Sequence, residues 1–198
     1  LLKISRLEGL TDGIFAIAMT IMVLNLHVPS HIATNNILST IKGDLFTNLI
    51  IYIGSFVILG THWVAMNFQL GLLDHLNRPY LWTNIFYLMV ICVVPFSANL
   101  LGAYPHSVDS INFYAINLLC SSLGQFLTLE CAHYYKLYKN LYTQEIHHAA
   151  FRRILVSPPF YIAALIMAHW NIRLAFILLV APTLLYIIPG RIDRFEGG

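Results

Sequence analysis

The N-terminal segment places Arg6, Glu8 and Asp12 within seven positions, beside an apolar run from Ile14 to Leu26. Charge near or inside such a run is costly in hydrocarbon and calls for a partner or for interfacial water. Arg6 and Asp12 are six residues apart, too far for a direct i,i+4 pair on one helix face. They are therefore expected to bond to other segments, with His62, Trp63, Asn67 and Asn84 as polar candidates. Arg6 and Glu8 also suit snorkelling to the interface, which the short Asp12 side chain suits less well. Beyond Asp12, Ile17, Ile21 and Leu24 recur at i, i+4 and i+7, with Thr20 beside them on the same stripe. Small Ala16 and Ala18 permit close approach of a neighbouring helix. Such a stripe serves packing, lipid contact or the lining of a pore, and spacing alone does not separate the three.

Other chemistries find less support. The sequence contains no P-loop, no HExxH, no CxxC, no ladder of arginines and no TVGYG filter string. Its nine histidines do not pair into metal-ligand spacing on one helix face, and His147-His148 reads as solvated rather than metal-bound. No resident metal or cofactor is expected. An enzyme would have to rely on His147, His148 and the lone Glu145, so no enzymatic activity is expected. A proton-coupled carrier would use Asp12, Glu130 and the histidines. Carriers commonly show internal repeats and broken midplane helices, and neither stands out. Glu130, near Lys136 and Lys139, reads as a paired or snorkelling side chain, with a proton site as the alternative. Cys92, Cys120 and Cys131 fall in apolar stretches and read as packing thiols without a disulfide framework.

The elements that must position these groups follow from composition. Of 198 residues, 58% are hydrophobic and 10% charged, where a soluble domain carries about a quarter charged residues. Mean hydropathy is +0.71, and a net charge of +2 offers nothing to nucleic acid. The chain reads as an all-α polytopic membrane protein, a single domain over 1–198. Its six spans fall at roughly 6–26, 45–70, 79–101, 108–135, 154–170 and 172–189. A short helix before the second span and a wet, basic connection through Arg153 complete the expectation. Lys3 and Arg6 precede an apolar run without a small-residue cleavage site, which argues against a cleavable signal peptide.

With six spans both ends lie on one side. That side receives Lys3, Arg6, Arg78, Lys136, Lys139, Arg152, Arg153, Arg191 and Arg194, against Lys42 and Arg173 on the other. Cytoplasmic segments are enriched in Lys and Arg, so both termini are expected in the cytoplasm.

The first span resembles the signature of the transmembrane protein 175 family, the endosomal and lysosomal potassium channels and their prokaryotic homologues. Arg6, three residues, then Leu10-Thr11-Asp12 stand where the family has Arg, three residues and Phe-Ser-Asp. The run Phe15-Ala16-Ile17-Ala18-Met19-Thr20-Ile21-Met22-Val23-Leu24 then follows the family's FAIAxTLLVL. Thr61-His62-Trp63, Asn84 and Pro95-Phe96 extend the likeness more loosely. A single six-span unit is similar to the prokaryotic branch. The resemblance implies a homotetramer in a prokaryotic plasma membrane, with the first helices lining a pore for potassium ions. It implies Ile17, Ile21 and Leu24 as the apolar constriction and Thr20 as a contributor to ion selectivity. It also implies Arg6, Thr11, Asp12, His62, Trp63 and Asn84 as an interhelical network, with other copies, lipid and permeant K⁺ as the partners.

Overall fold

The computed structural model describes residues 3–26, 45–140 and 142–187. The expected short helix before the second span, together with Lys42, Arg191 and Arg194, lies outside the described residues. Among the described residues seven α-helices follow one another: α1 Ile4–Ile21, α2 Phe46–Gly71, α3 Arg78–Ala103, α4 Val108–Tyr134, α5 Gln144–Leu155, α6 Ser157–Met167 and α7 Ile172–Ile187. A tight 3₁₀ turn, Met22–Asn25, extends α1. Among the described residues five stretches are long and apolar enough to cross a membrane: Ile4–Leu24, α2, α3, α4 and the joined Gln144–Met167. Ile172–Tyr186 is a shorter apolar helix. The protein is thus an all-helical, multi-pass membrane protein.

Local chemistry accounts for the helix ends. Asn77 precedes α3 and accepts a hydrogen bond from the Tyr80 amide at 2.9 Å, with Pro79 in the first turn. Asn171 does the same for α7, its side-chain oxygen taking the Leu174 amide at 3.1 Å. The connection from α6 to α7 is therefore very short, and the two helices pack against each other.

One stretch departs from the sequence reading. Residues 144–153, expected as a wet connection, form α5 together with residues 154–155 of the expected fifth span. Thr143 accepts from the Ile146 amide, Glu145 sits in the first turn, and Arg152 and Arg153 sit in the last, each charge suiting the helix dipole at its end. Ile146, Ala150 and Ile154 give this helix its buried edge. Pro158 and Pro159 then open α6 one residue further on, where the first turn needs no amide donor.

The helices pack around α4. It lies against α3 and α6 most extensively, while α1 rests on α3 and α2. Polar side chains tie the interior together: Ser55 to the Tyr114 hydroxyl at 2.7 Å, Thr128 Oγ1 to Gln69 Oε1 at 3.0 Å, and Asn117 within 2.9 Å of Ser97 Oγ. Each such interhelical bond contributes about 0.6 kcal/mol on average. At one end of the bundle the connection after α2 and the connection after α4 are stapled. The Asp74 amide donates to the Leu137 carbonyl at 2.8 Å, the Lys139 amide to Leu72 at 2.9 Å, and Lys139 Nζ to Gly71 at 2.7 Å.

Candidate functional site on the first helix

The two sides of α1 differ in kind. Leu7, Thr11, Phe15, Ala18 and Met22 recur every three or four residues and are buried. They form the ledge by which α1 rests on the other helices of the chain. Phe15 is 1% exposed, and its ring stands 6.3 Å from that of Tyr87 on α3. On another side, Leu10, Gly13, Ile17, Thr20, Ile21 and Leu24 are exposed. Ile17 is 59% exposed and Leu24 68%. These residues keep the same three-and-four spacing and so share one stripe.

Thr20 has a specific geometry within that stripe. Its hydroxyl lies 2.8 Å from the Ala16 carbonyl and 3.0 Å from the Ile17 carbonyl and donates to this pair. A threonine hydroxyl has one hydrogen and two lone pairs. With the hydrogen turned back on the helix, the oxygen offers acceptor capacity to whatever approaches the open face.

Asp12 sits at the rim of this face. Its Oδ1 accepts from Trp63 Nε1 on α2 at 2.9 Å, and both side chains are exposed in the single chain. This is a charge-assisted bond between α1 and α2, of the stronger class. Of the four polar candidates for Arg6 and Asp12, the structure brings only Trp63 to the acid. His62 is turned inward, with Nδ1 3.4 Å from the Tyr87 hydroxyl. Asn84 is buried beside the Met66 sulfur at 3.9 Å. Asn67 makes no bond to Asp12, and the Arg6 guanidinium, exposed at the start of α1, has no ion-pair partner among the described residues. Thr11 is 1% exposed, and its hydroxyl has no hydrogen-bond partner among the described residues.

Three features were not anticipated from sequence. Tyr87 links the groups named above, meeting Phe15 on one side and His62 on the other. Only its contacts in space mark it out. Leu10 and Gly13 extend the open stripe toward the N-terminus, and the spacing of three and four residues would have found them. His147, expected to be solvated, is buried and hydrogen-bonded, while its neighbour His148 is exposed. Among the described residues no group of three or more His, Cys, Asp or Glu side chains is arranged to hold a metal ion.

Residues 6–95 match the family model described as endosomal/lysosomal potassium channel TMEM175. A potassium channel of a Chryseobacterium species is 26% identical over 188 residues, covering 94% of this chain and 93% of its own length. A potassium channel of Chamaesiphon minutus is 31% identical over 101 residues, 50% of this chain and 49% of that one. The fold is similar to the crystal structure of a lysosomal potassium-selective channel TMEM175 homolog from Chamaesiphon minutus. That likeness has a TM-score of 0.77 at 21% identity and covers 92% of this chain and 95% of the other.

Proposed function

We infer from the match of residues 6–95 to the TMEM175 family model that the chain is a member of that family, and we propose that it forms a passive potassium-permeable channel of four subunits. The first helices line the central pore. The observation that carries this reading is the open face of α1, an apolar stripe left uncovered by its own subunit although it runs beside a packed core. Closed rotational symmetry turns one such stripe into a set of rings. Ile17 then forms the narrowest ring, with Ile21 and Leu24 widening toward the outside. The permeant ion is supported by the relatives that bear the name potassium channel.

An apolar ring excludes ions by dewetting when narrow and passes them once it is wide enough to hold water, because stripping hydration from an ion is costly. Thr20 stands between Ile17 and Leu24, where its acceptor lone pairs partly replace the hydration of a cation. Four hydroxyls solvate an ion less fully than a carbonyl cage does, so preference for K⁺ over Na⁺ is weaker than in a channel with such a filter. The bond from Trp63 to Asp12 fixes the tilt of α1 at its N-terminal end. Thr11 on the buried ledge, and His62 through the Tyr87 ring that meets Phe15, support this helix, while Arg6 stays exposed at its start. The excess of Lys and Arg on one side favours both termini in the cytoplasm, and the bacterial relatives favour a prokaryotic plasma membrane.

The test is flux from K⁺-loaded liposomes, repeated with Na⁺, for the wild type and Ile17→Asn. The polar side chain wets the ring, so K⁺ efflux rises about tenfold or the preference over Na⁺ falls, an expectation that rests on hydrophobic gating. Equal Na⁺ and K⁺ permeation in the wild type would defeat the selectivity. Absence of cation flux from both folded proteins would defeat the channel.

A further inference from the structure

Where the end of α4, the connection that follows it and α5 meet, several titratable side chains converge. His147 on α5 is 8% exposed. Its Nδ1 lies 2.7 Å from the Tyr142 hydroxyl, and its Nε2 lies 3.3 Å from Glu130 Oε1. Its ring stacks on that of His133, with centroids 4.2 Å apart and planes at 29°. His148 stands edge-on at 5.9 Å, and Phe151 closes the next turn of α5 at 6.4 Å. On the connection, the Tyr138 ring stacks on Tyr142 at 3.8 Å. Of the two lysines in that connection, Lys136 and Lys139, the second donates to the Gly71 carbonyl. The groups facing His147 are therefore Glu130 and His133 from α4, Tyr142 from the connection, and His148 from its own helix.

A neutral His147 satisfies this site with one tautomer, in which Tyr142 donates to Nδ1 and Nε2–H donates to Glu130. Burial pushes the Tyr142 hydroxyl up to about 12, so it keeps its hydrogen for that bond. Burial and the facing His133 ring oppose a first proton on His147, and Glu130 offsets that cost only in part, with the Tyr142 oxygen able to accept from Nδ1–H. A second proton, on His133, sets two cationic rings face to face with a single carboxylate between α4 and α5 to offset them. Like charges at that distance oppose each other's presence.

We propose that Glu130, His133, Tyr142 and His147 form a proton-released latch, which fastens α5 to the end of α4 at neutral pH and lets go on acidification. The released form, with its rings apart, takes up the second of these protons more readily than the stacked form. By linkage, docking is complete above the ordinary histidine range and is lost as pH falls through it. The released element reaches further than its own length. α5 runs through Val156 straight into Pro158 and Pro159 of α6, and α6 packs on α4 and α7. The latch is independent of the permeation pathway, so its test uses no flux measurement.

The experiment is hydrogen–deuterium exchange on the full chain in lipid nanodiscs between pH 7.5 and 5.5, with intrinsic exchange rates corrected for pH. In the wild type the protection of amides 144–155 falls about tenfold per pH unit below the midpoint, the limit for uptake of one proton, while α3 keeps its protection. His133→Phe preserves a stacked ring without the second charge and holds the protection of 144–155 across the range. Glu130→Gln removes the offsetting charge and moves the loss to higher pH. If α3 loses protection in His133→Phe, that variant is misfolded and Glu130→Gln decides. Unchanged wild-type protection, an identical loss in folded His133→Phe, or no shift in Glu130→Gln overturns the latch.

Discussion

The first and fourth helices invert the rule that holds in water. The apolar window of α1 has a mean hydropathy of 1.7 and is 28% buried, whereas that of α4 has 1.2 and is 50% buried. The less apolar helix is the one the subunit covers. Its buried list includes Ser110, Asn117, Ser121, Ser122, Gln125 and Thr128, and polar groups of this kind gain by finding protein partners instead of hydrocarbon. Helix α1 carries no such demand beyond Thr11 and Asp12, so its subunit holds it by one ledge and leaves its open stripe to other contacts. In a bilayer, an apolar surface does not by itself say whether lipid, another subunit or a water-filled lumen lies against it. The open stripe of α1 is set apart by Thr20 and by the bonded acid at its rim.

Substitutions on the two helices sharpen that contrast. The largest effect on subunit stability is expected from Phe15→Ala on the ledge of α1. It removes a fully buried ring and destabilises by about 3 kcal/mol, toward the low end for an aromatic because lipid replaces water as the reference. Unfolding in mixed micelles with increasing SDS measures it. A loss comparable to that of a surface site would mean that α1 is held by something other than this ledge. Next comes Gly124→Ala on α4, where an added Cβ would stand 2.9 Å from Tyr87 Cδ2 and 3.4 Å from the Tyr87 backbone. Tyr87 is wedged between Phe15 and His62, so it yields poorly, and overpacking costs about 1–2 kcal/mol in the same assay. The smallest effect is expected from Leu24→Ser on the open stripe. Subunit unfolding moves by less than about 0.5 kcal/mol, while K⁺ flux in liposomes rises. A destabilisation as large as that of Gly124→Ala would place Leu24 in a packed interior and erase the difference between the two sides of α1.

How much of this was legible in the sequence depends on the element. The long apolar runs near 45–70, 79–101 and 108–135 coincide with α2, α3 and α4, because runs of that length have few alternatives in lipid. The stripe of Ile17, Thr20, Ile21 and Leu24 could be listed from spacing, but its exposure could not, since periodicity is the same for a covered and an uncovered face. Helix α5 was missed because His147, His148, Arg152 and Arg153 dilute its apolar signal. Its marks were nevertheless present in the Thr143 cap, the early Glu145, the late arginines and the series Ile146, Ala150, Ile154. The pairing of Asp12 with Trp63 spans 51 residues, and the approach of His147 to Glu130 crosses a helix end and a turn. Neither distance follows from local pattern, which is why the sequence offered several partners for Asp12 and a solvated reading of His147.

The orientation of the Thr20 hydroxyl has a consequence for the sign of the ion. With its hydrogen bonded to the Ala16 and Ile17 carbonyls, the oxygen would show an ion in the proposed pore only its electron-rich side. In a ring of four such groups chloride would meet no donor and a cation would meet four acceptors. A lumen built from isoleucine, leucine and threonine can thus reject anions without a single formal charge along its wall.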